Sequence, residues 1–126
     1  MKIAALISRI LLGLVFVFFG SNGFMHFLPA TLPPGPAAQF LGALAQSHYI
    51  LLISGVQVAG GVLLLVNRFV PLALTLLGPE IVNILAFHTF LFRQGLVGAL
   101  VVAGLWFVLF FRYRQYFAGL FVQRAS

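Results

Sequence analysis

Residues 10–20 read ILLGLVFVFFG, eleven positions without a polar or charged side chain. The surrounding sequence extends this apolar stretch to residues 3–28, and Pro29 ends it. A helix of about 20 such residues crosses the hydrocarbon core of a bilayer, so the stretch predicts a membrane-spanning helix. Lys2 and Arg9 resemble the start of a signal peptide, but the apolar stretch is long and no A-x-A site follows. We therefore expect a helix of the mature protein.

The whole chain has the composition of a membrane protein. Of its 126 residues, 63% are hydrophobic and only 6% are charged, whereas a soluble domain is about 45 to 50% apolar even with glycine included. An ordinary soluble fold and a disordered chain are both excluded. The chain has no cysteine, which excludes thiolate catalysis, iron–sulfur ligation and cysteine zinc sites.

Three further apolar stretches predict three further crossings, at about residues 48–66, 71–92 and 96–111. The links between these stretches are short, so we predict an all-α, up-down-up-down four-helix bundle that comprises residues 1–126. Residues 29–47 form the outer connection, which begins with four prolines and turns helical at 37–47. Its apolar edge makes it either a lid on the bundle or an interfacial linker; this edge contains Phe40, Leu41 and Leu44.

The basic residues predict the orientation. If the N-terminus is inside, only Arg93 lies outside, and six basic residues lie inside: Lys2, Arg9, Arg68, Arg112, Arg114 and Arg124. The positive-inside rule then places both termini in the cytoplasm. Residues 112–126 become a cytoplasmic tail against the inner leaflet or a partner. The net charge of +6 does not predict nucleic-acid binding, because the basic residues do not cluster on one polar face.

Small residues recur at every third or fourth position of the predicted spans. Such spacing lets helices approach closely in a membrane, where dispersion replaces the hydrophobic effect. In the third span, Gly78 and Pro79 additionally predict a bend. The small residues are Gly13, Gly20 and Gly23 in the first span, Gly55, Ala59, Gly60 and Gly61 in the second, and Gly95, Ala99 and Ala103 in the fourth.

The lone carboxylate of the chain, Glu80, is predicted about 13 Å along the third helix, near mid-membrane. Asn83 and His88 fall on either side of it on a helical wheel and form a polar stripe. A carboxylate at this depth costs about 2.5 to 3.5 kcal/mol, so we expect it to face the bundle interior.

Depth along the helices brings other polar residues towards this stripe. Gln57 and Asn22 are expected at a similar level, and Arg9 either reaches inward to Glu80 or anchors the inner leaflet. The three histidines are expected in the outer third of the membrane: His26, His48 and His88.

Four interpretations of these polar residues stay open. They form an internal hydrogen-bond network that bonds Glu80 to Gln57, Asn83 or Arg9, or they hold the head of a quinone between phenylalanine walls. Alternatively, His26, His48 or His88 ligates a metal, haem or chlorophyll, although their spacing is not a compact ligand motif. The fourth interpretation is proton passage from Glu80 towards His88.

The order of these features resembles the DoxX family of four-helix bacterial membrane proteins. The resemblance rests on Arg9 with the glycines of the first helix, on residues 57–65 (QVAGGVLLL), on the turn Asn67-Arg68 and on His88. The chain differs from the family at Gln57, where the family often has Glu, and at residues 21–23, where it often has Lys. The resemblance implies a bacterial inner membrane and a subunit or accessory of membrane redox systems, some of which are called quinol oxidase or thiosulfate:quinone oxidoreductase subunits.

We therefore predict a small multi-pass subunit of a respiratory, photosynthetic or quinone-linked electron-transfer assembly. Its expected partners are membrane lipids and other integral membrane subunits, and a non-catalytic scaffold is the alternative. The sequence contains no complete catalytic set, so we do not expect an enzyme that acts alone. The candidate binding residues are Glu80, Asn83, His88, Gln57, Asn22 and His26.

Overall fold

A computed structural model describes residues 2–25 and 33–124. Helices make up most of these two ranges, and no β-strand occurs within them. In chain order the elements are α1 (Lys2–Met25), α2 (Pro36–Gln46), α3 (Tyr49–Leu65), α4 (Val70–Ala86), a π-helical turn (Phe87–Leu91), α5 (Leu96–Arg112) and a terminal 3-10 helix (Arg114–Phe121).

Two segments in the described ranges are long and apolar enough to cross a membrane as single helices. They are α1 and the continuous segment Val70–Leu91, which joins α4 to the π-helical turn. Two further segments qualify only as bent pairs: α2 meets α3 at 87°, and α5 meets the terminal 3-10 helix at 86°. By length and composition, residues 2–25 and 33–124 therefore contain two to four candidate spans.

The long helices pack in a ring. α1 packs most extensively along α3 and also contacts α5, while α4 contacts both α3 and α5. The core inside this ring is apolar, and its large, completely buried side chains include Phe16, Leu12, Leu64, Leu74, Leu77 and Leu109.

The seam between α1 and α3 depends on glycine. A Cβ atom at Gly61 would lie 2.9 Å from the carbonyl oxygen of Gly13 and 3.0 Å from the amide nitrogen of Val17, so no side chain fits between the two backbones. Further along the seam, Gly20 faces Val58 and Gly23 faces Ser54. The close packing predicted from the glycine spacing is therefore confirmed for α1 and α3.

Arg9 lies in this seam at the C-terminal end of α3. Its Nη1 donates hydrogen bonds to the carbonyl oxygen of Leu64 and, at 3.3 Å, to that of Leu65. The last carbonyls of a helix have no partner within the helix and carry partial negative charge, which a guanidinium satisfies. Arg9 thus caps α3 rather than reaching Glu80.

The turn between α3 and α4 is only four residues long and contains two left-handed residues, Asn67 at φ 56° and Phe69 at φ 53°. On the other side of α4, the indole nitrogen of Trp106 donates to the carbonyl oxygen of Leu74 at 3.0 Å. This bond joins the C-terminal half of α5 to the N-terminal half of α4, as expected for neighbours that run antiparallel.

Two local features add to these expectations. α4 is helical on both sides of Pro79, and its departure from α-helical geometry comes later, in the π-helical turn. The tail after α5 forms a 3-10 helix at 86° to α5, and the ring centre of its buried Phe117 lies 5.0 Å from that of Phe110.

Candidate functional site

An open groove of about 1100 Å³ lies between α2, α3, α4 and the π-helical turn. We call it the lid groove, because α2 lies across one side of it. The predicted apolar edge of α2 lines the groove through Phe40, Leu41 and Leu44. The ring centre of Phe40 lies 5.9 Å from that of Phe87 in the π-helical turn, which attaches the lid to the end of α4.

Polar side chains from two helices meet in the wall of the lid groove. Gln57 Nε2 on α3 donates a hydrogen bond to Glu80 Oε2 on α4 at 3.4 Å, and both residues are half-buried. The contact of Glu80 with Gln57, one of those predicted for an internal network, is therefore present. The distance is long for a hydrogen bond to a carboxylate, so the pair is loosely held.

Asn83 lies one helical turn beyond Pro79 and also lines the groove. Its Nδ2 donates to the carbonyl oxygen of Pro79 at 3.1 Å, and the residue is exposed. This bond holds the side-chain amide close to α4, while its oxygen and second N–H remain for a further partner.

His88 lies in the π-helical turn at one end of the groove and is held by the loop that follows it. Its Nδ1 lies 3.1 Å from the carbonyl oxygen of Phe92 and 2.8 Å from that of Gln94. Both partners only accept hydrogen bonds, so Nδ1 carries a hydrogen; Nε2 accepts a hydrogen bond or binds a ligand when it carries none.

Gly95 makes room for this histidine. A Cβ atom at Gly95 would lie 2.8 Å from Cε1 of the ring, and its φ of +89° favours glycine as well. The backbone of the loop after His88 thus fixes the orientation of its ring. The spacing of polar residues in the sequence does not predict this loop.

The remaining candidates do not join this group. Asn22 is half-buried on α1 and does not line the lid groove, and His26 lies outside the described residues. His48 is exposed at the corner between α2 and α3 with φ 62°. Within residues 2–25 and 33–124, no three His, Cys, Asp or Glu side chains are close enough to hold a metal ion.

Sequence reasoning missed two contributors to the lid groove. Phe87 of the π-helical turn contacts Phe40 of the lid, and Tyr49 lines the groove at the start of α3. Both residues lie at the ends of apolar stretches in the sequence, but the π-helical turn that contains Phe87 has no signal in the apolar pattern.

The resulting site combines apolar walls with a small polar patch. The patch offers N–H donors from the two amides, and acceptors from Glu80 and from Nε2 of His88. Such a surface suits an amphiphilic molecule with a compact polar head. Comparison of the chain with protein-family models, with curated proteins and with solved structures finds no match.

Proposed function

We propose that the chain is a four-helix membrane protein of the DoxX type in a bacterial inner membrane, with both termini in the cytoplasm. Helices α3 and α5 have 17 residues each, or about 26 Å of rise, close to the hydrocarbon thickness of about 30 Å. The exposed surface supports this placement, since large apolar side chains face outward, for example Phe90 at 81% and Val97 at 76% exposure.

The protein's role in this proposal is to hold the head of a quinone as a small subunit of an electron-transfer assembly. The observation that carries it is the Gln57–Glu80 pair in the wall of an otherwise largely apolar groove. A quinone head accepts hydrogen bonds at two carbonyl oxygens, and the amides of Gln57 and Asn83 supply donors. The apolar walls suit its ring and isoprenoid tail.

The resemblance to the DoxX family supports the same ligand class. Of the residues on which it rests, His88 lines the lid groove, whereas Arg9 and the turn Asn67-Arg68 do not. Gln57 also lines the groove, at a position where the family often has Glu. The resemblance therefore bears on the groove through His88 and through a polar side chain at position 57.

The test is quinone binding by the purified protein in a mild detergent. Co-purified lipids are first analysed for quinone by mass spectrometry, and a radiolabelled short-chain quinone is then titrated. We expect Gln57→Leu to weaken binding about tenfold, the equivalent of one buried hydrogen bond. Gln39→Leu is the matched control, because Gln39 is exposed on α2 and does not line the groove.

Equal binding by Gln57→Leu and Gln39→Leu contradicts the proposed site, and a folded wild-type protein that binds no quinone contradicts the proposed ligand.

A second candidate function is a structural scaffold. The hydrogen bond between Gln57 and Glu80 favours it, because this bond joins α3 to α4. In that case Gln57→Leu lowers the stability of the protein and no quinone is found.

A further inference from the structure

A second groove, of about 510 Å³, lies between α4, α5 and the terminal 3-10 helix. We call it the tail groove. Its walls are almost entirely apolar and include Leu74 and Leu85 of α4, Trp106 and Phe110 of α5, and Phe117 of the 3-10 helix. It shares Thr75 and Pro79 with the lid groove, but Gln57 and Glu80 do not line it.

The aromatic wall of the tail groove is fixed in place by its own contacts. The hydrogen bond from Trp106 to the carbonyl oxygen of Leu74 holds the indole, and Phe110 stacks on it with ring centres 5.2 Å apart and planes at 8°. Phe117 then packs on Phe110. A Cβ atom at Gly78 would lie 3.4 Å from the indole ring, so the absence of a side chain keeps the groove open.

The groove is long in the direction of the helices. It runs along α4 from Leu74 to Leu85, which is about 16 Å at the helical rise per residue. Half of a bilayer's hydrocarbon core is about 15 Å thick. The groove therefore has the length of one leaflet and the apolar lining that an acyl chain needs.

Positive charge lies at the end of the groove where α5 meets the 3-10 helix. Arg112 ends α5 and Arg114 begins the 3-10 helix, and both are exposed. Arg114 Nη1 donates to the carbonyl oxygen of Phe111 at 2.6 Å, and its guanidinium lies 4.2 Å from the centre of the Phe111 ring. These contacts hold the Arg114 guanidinium in the segment between Phe110 and Phe117, which both line the groove, and a guanidinium keeps further N–H donors for a phosphate.

The geometry points to a binding site for one anionic phospholipid. Its acyl chain occupies the tail groove against Trp106 and Phe110, and its phosphate binds Arg112 and Arg114. The positive charge distinguishes this occupant from a zwitterionic lipid, and the length of the groove matches one acyl chain. The inference needs the membrane placement proposed above, but it does not depend on quinone binding in the lid groove.

The protein contains its own reporter for this site, because Trp106 is the only tryptophan in the chain. The full chain is reconstituted in phosphatidylcholine vesicles that contain either phosphatidylglycerol or phosphatidylcholine with brominated acyl chains, at equal mole fraction. Bromine quenches indole fluorescence on contact. We expect stronger quenching by the brominated phosphatidylglycerol, with an apparent affinity about fivefold higher for each arginine that binds the phosphate.

Two variants separate the headgroup contact from general charge. Arg112→Gln with Arg114→Gln should remove the preference for phosphatidylglycerol and leave quenching by phosphatidylcholine unchanged. Arg93→Gln is the matched control, since Arg93 is exposed in the loop before α5, at the opposite end of that helix. It should keep the full preference.

Equal quenching by the two lipids in the wild-type protein overturns the proposal, and so does a preference that Arg93→Gln abolishes. Absence of quenching by either lipid also overturns it, because the groove is then covered by protein, such as a second copy of the chain. The comparison of the two brominated lipids on the wild-type protein decides whether the groove prefers an anionic lipid. This part of the test therefore does not depend on the folding of the variants.

Discussion

The seam between α1 and α3 and the lid groove between α3 and α4 use one helix in opposite ways. In the seam, the backbones of Gly13 and Gly61 approach so closely that no Cβ atom fits between them. In the groove, the loose contact of Gln57 with Glu80 joins α3 to α4 beside an open space, while one turn further along α3 Gly60 packs closely on Leu77 of α4. Close packing is thus concentrated at the glycines of α3, and the wall around Gln57 is left open to a ligand.

The largest effect is expected at the seam. Gly61→Leu places a side chain against the backbone of α1, which cannot move without separating the helices, so we expect a loss of about 3 kcal/mol or more. Unfolding in detergent followed by circular dichroism measures it. The control is Gly104→Leu on α5, where a Cβ atom meets nothing within 4 Å. Equal losses of stability in the two variants would contradict the role of close glycine packing in the seam.

A smaller loss is expected at the end of the same seam. Arg9→Met removes the cation that caps the carbonyl groups of Leu64 and Leu65 and should cost about 2 kcal/mol in the same unfolding measurement. Lys2→Met removes an exposed charge from the first turn of α1 and serves as the control. An Arg9→Met variant as stable as Lys2→Met would contradict the capping role.

The lid should contribute less than either seam residue. Phe40→Ala removes the ring that contacts Phe87, and we expect it to weaken attachment of α2 by about 1 kcal/mol. Hydrogen exchange of the α2 amides should then become faster while that of α3 is unchanged. Phe121→Ala, on the terminal 3-10 helix, is the control. Faster exchange of the α2 amides in the Phe121→Ala variant would contradict the role of the contact between Phe40 and Phe87.

The smallest effect on stability is expected in the groove wall. Glu80→Gln keeps an oxygen that accepts from Gln57, and the present contact is already long at 3.4 Å. The free energy of unfolding should therefore change by less than about 1 kcal/mol. A loss as large as that of Gly61→Leu would erase the distinction between the glycine seam and the groove wall and would favour a structural role for the carboxylate.

The helices were largely predictable from the sequence because an apolar stretch bounded by basic residues and prolines leaves few alternatives. The expected spans at about 48–66 and 96–111 correspond to Tyr49–Leu65 and Leu96–Arg112. The contact between Gln57 and Glu80 followed from equal depth in antiparallel helices. The glycine seam followed from residue size and spacing.

The positions of Asn22, Arg9 and His88 could not be predicted from their depth along the helices alone. Asn22 was expected at the level of Gln57, but rotation about the helix axis decides which neighbour it faces, and it does not line the groove. Arg9 has a side chain long enough for several partners, and unpaired carbonyl groups at the end of α3 attract it more than a distant carboxylate. The ring of His88 is oriented by a loop whose shape depends on the positive φ of Gly95.

The four-residue turn between α3 and α4 has a consequence for biosynthesis. In the membrane placement proposed above, a connection this short favours insertion of α3 and α4 together as a hairpin. Gln57 and Glu80 would then leave the aqueous translocation channel already within reach of each other. The most costly side chain to transfer into lipid thus arrives with its hydrogen-bond donor, before any later helix or subunit is present.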